Sequence, residues 1–440
     1  MGTSIGKLRK NLSGDGLFKI VKNSFKKVPD TRSGDIKIPL SDALMSAFAM
    51  FSLKEPSLLK FDGRCKDEYS LKHIYRIGRV PSDTHLRTLL DPVNPQSINS
   101  AFTDIFRHLQ RGKALEKFVY MDQYYLASLD GTGYFSSYFI QCPHCQEKEF
   151  KNGTTQFSHQ MLGAVIVHPD VKEVIPLAPE MILKQDGQTK NDCERNAAKR
   201  LLSQLRKDHP KLKMIIVEDA LASNAPHIKE LRKHNLEFIL GVKPGDHKFL
   251  FKHIEEQQNA GNVQSYEIQQ GDTTHKFKFI NQVPLNASNA DLRINFLEYW
   301  EIKPKKTQHF TWVTDFQIST ENTYELMRGG RARWKIENET FNTLKNQGYH
   351  FEHNFGHGKE NLSANFALIM MLAFLVDQVQ QHCCHLFQAA WKKVKRKKYL
   401  WEEIRSKFSE YDVDSMEQIL KMIAFGHKKM RASDLLDDTS

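Results

Sequence analysis

Three carboxylates stand at places along the chain where folding could bring them together. Asp130 follows an apolar run in SLDGT, Asp219 ends the near-continuous apolar run KMIIVED, and Glu337 lies in the helical pattern RWKIENETFNTLK. Binding sites in α/β proteins gather at strand ends, and carboxylate oxygens suit Mg²⁺ or Mn²⁺. Two such ions, about 3.5–4 Å apart, can activate an attacking oxygen and stabilise a leaving oxygen at a phosphodiester. Each residue alone has a structural alternative, because aspartate is also common before glycine in turns and after strands as a helix cap.

Glu337 occupies an unusual place in its helical pattern. At about 100° per residue it falls inside an apolar stripe, which is formed by Trp334, Phe341 and Leu344. A carboxylate in a buried face is costly unless it is paired, and metal ions or Arg333 could pair with it. Glu339 points to nearly the opposite side, so the two glutamates cannot have the same role. The alternative is an amphipathic helix with an Arg–Glu pair at i,i+4.

The surrounding elements alternate in a way typical of an α/β core. Residues 1–35 are basic and rich in Gly and Ser, which predicts a flexible lead-in, and the rest of 1–115 predicts a small helical domain. Residues 116–244 predict strands and helices in the order β-β-β-α-β-α-β, with a tight turn at 130–133 between the first two strands. Residues 245–320 predict an inserted β-rich subdomain, 321–385 the second part of the core with the Glu337 helix, and 386–440 a basic helical region.

Composition limits the classes of function. The formal net charge is +11 and the pI is near 9.1, values that suit a polyanionic partner such as nucleic acid. The first residues have no apolar core, so we expect no signal peptide, and the run from Phe366 to Val376 is too short to span a bilayer. Six cysteines in a chain of 440 residues do not suggest a disulfide framework. We therefore expect a soluble cytoplasmic protein without a membrane partner.

Three segments in the same order resemble the DDE transposases of bacterial insertion sequences, in the branch with an inserted β subdomain and a Tyr-Arg-Glu-Lys signature. LDGTGYFSS is similar to the first-aspartate segment, VEDALASNAPHI to the second, and RWKIENETFNTLK to the glutamate helix. The resemblance covers roughly residues 115–360. It implies an α/β fold with a ribonuclease H-like mixed sheet core, and it implies that Asp130, Asp219 and Glu337 bind two Mg²⁺ or Mn²⁺ ions as the catalytic triad.

The resemblance also implies an activity. A transposase of this kind would bind terminal inverted repeats as a homodimer on paired ends, cut them through a hairpin intermediate, and join the 3′ ends to target DNA. Arg331, Arg333 and Lys345 would contact the DNA backbone, and Trp312 or Trp300 could stack on a flipped base. For each tryptophan, packing within the β subdomain is the alternative.

Two positions depart from the signature. Gly330 stands where the tyrosine is expected, and Leu344 where the lysine is expected, with Lys345 one residue later. These departures leave two other functions open: a repurposed or decayed transposase that binds DNA without cutting, and a metal-dependent nuclease that does not join strands.

Cys142 and Cys145 form a CxxC pair in a segment that resembles a hairpin turn. Such a pair can be half of a Zn²⁺ site. No second CxxC follows, and His159 is the nearest later histidine. With only two clear ligands, the pattern favours an ordinary turn over zinc.

Overall fold

The computed structural model describes residues 11–64, 68–184 and 193–426. By their internal contacts, these residues form two compact units, one of residues 115–343 and one of residues 11–114 with 344–426. The finer five-part division expected from the sequence stays a prediction.

The α-helices of the described chain, with one π-helical segment, are, in order, α1 Gly14–Phe25, α2 Leu40–Ser52, α3 Leu58–Arg64, α4 Glu68–Ile74, α5 Asp83–Leu90, α6 Ser100–Arg111, α7 Glu194–Asp208, α8 Ala225–Lys233, α9 Lys248–Asn259, α10 Thr323–Arg331, the π-helical segment Ile336–Phe341, α11 Asn342–Asn346, α12 Leu362–Cys383, α13 His385–Val394, α14 Lys397–Glu410 and α15 Met416–Phe425.

The strands all belong to the unit of residues 115–343. They are β1 Val119–Tyr120, β2 Tyr124–Ser137, β3 Gln146–Glu149, β4 Thr155–His168, β5 Val171–Pro176, β6 Glu180–Ile182, β7 Met214–Glu218, β8 Glu237–Gly241, β9 Gln264–Gln270, β10 Thr273–Pro284, β11 Arg293–Lys303 and β12 Lys306–Thr314.

These strands form one mixed sheet in the order β3-β4-β2-β7-β8-β12-β11-β10-β9. Strands β2, β7 and β8 run parallel, and the other pairs are antiparallel. The strands of the inserted region continue the same sheet, because Trp312 of β12 lies opposite Gly241 of β8. All five residues of β7 are buried. A near-continuous apolar run is typical of such a strand, which is covered on both faces of the sheet. The mixed α/β class predicted from the sequence is therefore confirmed.

The tight turn predicted at 130–133 is wrong. Strand β2 passes through these residues without a break and pairs with β4, with an irregularity only between Gly133 and Phe135. Of the two glycines that suggested a turn, Gly131 lies close to another side chain. A Cβ atom on Gly131 would lie 2.1 Å from Glu194 Oε1, so a larger residue here would force the Glu194 carboxylate to move.

The unit of residues 11–114 and 344–426 is helical, and α12 forms its centre. This helix is long and apolar enough to cross a membrane by length and composition, but 94% of its apolar window is buried. The Asp91 carboxylate accepts hydrogen bonds from the four successive N–H groups of residues 359–362 and so caps the start of α12. Asp377 of α12 is buried and forms an ion pair with the fully buried Lys54, while the Tyr349 hydroxyl donates to the same carboxylate at 2.5 Å.

The lead-in predicted for residues 1–35 is wrong for residues 14–25, which form α1. Leu17, Phe18, Val21 and Phe25 recur at helical spacing and are fully or almost fully buried. The glycines and lysines around them obscured this pattern in the sequence. Residues 1–10 lie outside the described chain.

Candidate active site

Asp130 lies on β2, and Asp219 directly follows the neighbouring parallel strand β7. Ser128 of β2 is opposite Val217 of β7. Because the two strands are parallel, Asp130 and Asp219, each two residues further on, lie at the same edge of the sheet. Asp130 Oδ1 accepts a hydrogen bond from the Gly131 N–H at 2.9 Å, and Asp219 Oδ1 accepts one from the Leu221 N–H at 2.9 Å. Both aspartates are half-buried. The two carboxylates are thus oriented by backbone donors at the edge of one cleft.

The electrostatics of this cleft disfavour an ionised Asp130. Burial raises the pKa of Asp130 to about 6; the guanidinium of Arg333 and the Gly131 N–H oppose this rise, and the charges of Asp219 and Glu194 add to it. Neighbouring carboxylates in a partly desolvated place repel one another. A divalent cation would relieve that repulsion, and the donor atoms are the hard oxygens that Mg²⁺ and Mn²⁺ prefer. The residues present therefore fit such an ion.

Glu194 is the carboxylate that the sequence analysis missed. It begins α7, and the missing side chain of Gly131 lets its carboxylate lie beside Asp130. The residue is exposed overall, but partial desolvation of its carboxyl raises its pKa, and the charges of Asp219 and Glu218 add to that rise. A carboxylate at a helix start is common because it complements the helix dipole, and only the three-dimensional structure shows that Glu194 lines the cleft.

A buried histidine–glutamate contact forms one wall of the cleft. His227 Nε2 of α8 lies 2.6 Å from Glu218 Oε2 at the end of β7. Burial alone would lower the pKa of His227, but the adjacent Glu218 carboxylate raises it above the usual value. Glu218 is therefore engaged by a histidine. The cleft is lined by Leu129, Asp130, Leu162, Glu194, Arg195, Ala198, Glu218, Asp219, Leu221, Ala222, Asn224 and His227.

The segment that carries Glu337 is held against β2 and β4. The Ser128 hydroxyl donates to the Arg333 carbonyl at 3.0 Å, and Arg333 Nη1 lies 3.6 Å from Asp130 Oδ2. Gly163, which lies opposite Asp130 in the sheet, makes room for the ring of Phe341, since a Cβ atom there would lie 2.9 Å from that ring. Arg333 and Phe341 therefore fix this segment at the level of Asp130.

Glu337 itself lies in the π-helical turn Ile336–Phe341 and is half-buried, as is Glu339. Single π-helical turns within helices occur frequently at functional sites. Glu337 is not among the residues that line the cleft described above. The structure thus brings Asp130 and Asp219 together and places the Glu337 segment against β2, and the triad as a set of ligands stays a prediction.

The residues predicted to contact DNA have varied surroundings. Arg331 Nη1 lies 3.2 Å from Glu301 Oε1, and Lys345 Nζ lies 2.8 Å from Glu352 Oε1. Trp300 is half-buried and stacks on His309, with ring centroids 4.8 Å apart. Trp312 is 5% exposed and lies against Gly330, an arrangement that favours the packing alternative for this tryptophan.

Trp334 differs from the sequence expectation. The helical pattern placed it in a buried stripe, but it is 47% exposed, whereas Phe341 and Leu344 are buried as predicted. The guanidinium of Arg333 lies 4.3 Å from the centroid of the Trp334 ring. The change to π-helical geometry after residue 335 shifts the register of the stripe, and this shift accounts for the difference.

Comparison with known families agrees with this arrangement. Residues 140–375 match the family described as the transposase DDE domain. The match covers more than half of the 440 residues, and the chain belongs to this family. The matched range contains Asp219 and Glu337 and begins after Asp130. No curated protein matches the chain. Family membership and the mixed sheet with helices at both ends confirm the ribonuclease H-like fold class; the insertion-sequence branch and its signature stay predictions.

Proposed function

We propose that this transposase moves a bacterial insertion sequence by a cut-and-paste route. It would bind the terminal inverted repeats, cleave both strands through a hairpin intermediate, and join the 3′ ends to target DNA. The observation that supports this proposal is that Asp130 and Asp219 line one cleft at the ends of the paired parallel strands β2 and β7, with the Glu337 segment held against β2 through Arg333.

In this proposal Asp130, Asp219 and Glu337 hold two divalent ions, Mg²⁺ or Mn²⁺. When bound, such ions activate the attacking oxygen and stabilise the leaving oxygen of an in-line displacement. The backbone N–H groups of Gly131 and Leu221 orient the two aspartates. Arg333 supplies a positive charge beside Asp130, which favours the ionised, metal-binding form of that carboxylate against the effect of burial.

The DNA would be held largely through its phosphates. The net charge of +11 favours such binding, and the basic run at 392–398, which spans the end of α13 and the start of α14, is mostly exposed. Arg331, Arg333 and Lys345 are further candidates, and the exposed ring of Trp334 offers a stacking surface beside Arg333. Contacts of this kind set affinity in a salt-dependent manner and do not by themselves choose a sequence.

The remaining parts of the proposal concern assembly. We assign DNA recognition to the helices of residues 1–115, and we propose a homodimer, because two DNA ends must be cut together. The protein would act in the bacterial cytoplasm on the nucleoid.

Substitution of one of two neighbouring glutamates tests the proposal. Glu337→Gln keeps the shape of the side chain and removes its charge, so Mg²⁺-dependent cleavage of DNA that carries the element's own ends should fall about a thousandfold, equivalent to about 4 kcal/mol in the barrier. Glu339→Gln, two residues away in the same π-helical turn, is the matched control and should cut at the normal rate. Both variants should bind the ends equally well in a gel-shift assay.

The same assay separates the alternatives. A wild-type protein that binds the ends and does not cut them under Mg²⁺ or Mn²⁺ would be a DNA-binding protein descended from a transposase, as the departures at Gly330 and Leu344 allow. A protein that cuts at the repeat boundary and never joins the 3′ ends to target DNA would be a nuclease. Equal loss of cleavage in both glutamate variants would remove Glu337 from the proposed triad.

A further inference from the structure

Two cysteines and one histidine meet in the unit of residues 115–343, apart from the carboxylates of the proposed active site. Cys142 Sγ and Cys145 Sγ are 3.8 Å apart, and each lies 3.4 Å from His159 Nε2. Cys145 is 1% exposed and His159 is 2% exposed. The three donor atoms therefore form a compact triangle, and two of the three side chains are buried.

The dimensions of this triangle are those of a tetrahedral zinc site. With Zn–S near 2.3 Å and Zn–N near 2.0 Å, a tetrahedral angle places two sulfurs about 3.8 Å apart and a sulfur and a nitrogen about 3.5 Å apart. The observed separations of 3.8 Å and 3.4 Å agree with both values. The two sulfurs are too far apart for a disulfide bond, in which the S–S distance is about 2.05 Å.

Hydrogen bonds alone account poorly for the arrangement. An imidazole nitrogen has either one N–H or one lone pair to offer, yet both sulfurs lie at the same distance from the single atom His159 Nε2. An ion at the centre of the triangle would account for all three separations at once. Thiolate and imidazole donors also select zinc over the Mg²⁺ or Mn²⁺ that carboxylates prefer.

A turn and a strand pairing bring the side chains of Cys142, Cys145 and His159 together. The 142–145 segment closes a turn in which the Cys145 N–H donates to the Cys142 carbonyl at 3.1 Å. His159 lies on β4 and pairs with Phe135 of β2, next to the irregularity that follows Gly133. His144, which lies between the cysteines, has its Nδ1 at 3.0 Å from the Lys184 carbonyl oxygen, so it is engaged elsewhere. The sequence spacing alone could not choose between these two histidines.

We propose that Cys142, Cys145 and His159 are three ligands of a structural zinc ion. The fourth position of the tetrahedron is left to water or to one further side chain. The ion would hold the connection from β2 to β3 against β4. That connection begins with exposed apolar residues, of which Phe139 is 91% exposed, and an anchor at its base would fix their position.

Metal analysis of the full-length protein tests this proposal. The wild-type protein, purified without chelator, should contain one zinc ion per chain by mass spectrometry of the metal. Cys145→Ser and His159→Ala should lose nearly all of it. Cys193→Ser, which alters an exposed cysteine of the same unit, should retain it. Asp219→Asn should also retain it, because the carboxylate cleft is a separate place.

Cobalt substitution supplies a second measurement that does not depend on activity. Tetrahedral Co²⁺ with thiolate ligands should show intense d–d bands and a sulfur-to-metal charge-transfer band. His159→Cys should keep the metal and increase the charge-transfer absorbance, because it exchanges a nitrogen ligand for a sulfur ligand. His159→Cys therefore distinguishes loss of a ligand from loss of folding, because a folded protein with three thiolates should still bind the metal.

Three results would overturn the proposal. They are a wild-type protein that neither contains zinc nor takes it up from solution, zinc that remains in Cys145→Ser, and zinc that is lost from Asp219→Asn. The last result would place the ion in the carboxylate cleft and would leave the transposase proposal standing.

Discussion

Gly330 offers a quantitative test of how the Glu337 segment is packed. It stands where the signature predicts tyrosine, and a Cβ atom at this position would lie 2.5 Å from Trp312 Nε1 and 2.6 Å from Trp312 Cε2. The indole of Trp312 thus fills the space that a side chain would need. We infer that α10 has glycine at position 330 because the large side chain of Trp312 on β12 occupies the space beside it.

The perturbation is Gly330→Ala, made in the wild-type protein and in a Trp312→Leu background. In an open helix, Gly→Ala stabilises by about 0.8–1.0 kcal/mol, and overpacking a core costs about 1–3 kcal/mol. In the wild-type protein the two effects oppose each other, so the change should be neutral or should destabilise by up to about 2 kcal/mol. In the Trp312→Leu background the clash is absent, and the same change should stabilise.

The free energy of unfolding, from urea titrations followed by circular dichroism, measures all four proteins of this cycle. The coupling energy between the two positions should be about 1–3 kcal/mol. Gly63→Ala in α3 is the control, because a Cβ atom there meets nothing within 4 Å, so this change should stabilise slightly. If Gly330→Ala stabilises equally in both backgrounds, the steric explanation is refuted.

Three further predictions concern charge. Asp130→Asn should abolish cleavage and yet stabilise the protein at pH 7.5 by up to about 3 kcal/mol, since the folded state raises the pKa of Asp130 from 3.8 to about 6. The cost of ionising Asp130 in the folded protein is complete above about pH 6 and absent below pH 3.8. Thermal unfolding at pH 4 should therefore show little stabilisation by Asp130→Asn, and equal stabilisation at pH 4 and pH 7.5 would contradict the reasoning. Glu194→Gln removes one charge that raises the pKa of Asp130, so the acid limb of the pH–rate profile at limiting Mg²⁺ should move to lower pH; an unmoved limb would exclude this coupling. Lys54→Met leaves Asp377 buried without its ion-pair partner and should cost about 3–5 kcal/mol in thermal unfolding, whereas Lys27→Met, in an exposed pair, should change stability by less than about 1 kcal/mol.

The sequence predicted those parts of the site that depend on local pattern. The short apolar run of β7 predicts a strand that is buried on both faces, with Asp219 just after its end. The parallel pairing that sets Asp130 beside Asp219 follows from the alternation of strands and helices. The proposed ligand set extends these positions by resemblance.

Other parts could not be predicted, because distant residues decide them. A sequence does not show whether a glycine forms a turn or lies close to another side chain. Gly131 therefore suggested a turn, although it lies within a strand and next to the Glu194 side chain. The spacing of apolar residues does not reveal a π-helical turn, so the sequence did not predict the exposure of Trp334. The third proposed zinc ligand, His159, becomes distinguishable from His144 only when the strands are paired.

The separation of the paired segments along the chain has a consequence during synthesis. Ser128 donates to the carbonyl of a residue 205 positions later, and β8 lacks its β12 neighbour until Trp312 has been made. Contacts between such distant residues form late in folding. A nascent chain, or a fragment released early from the ribosome, would carry both aspartates and an open sheet edge but would lack the segment that holds Arg333 beside Asp130. A chain interrupted before residue 333 would therefore contain Asp130 and Asp219 without the Arg333 guanidinium that lies beside Asp130.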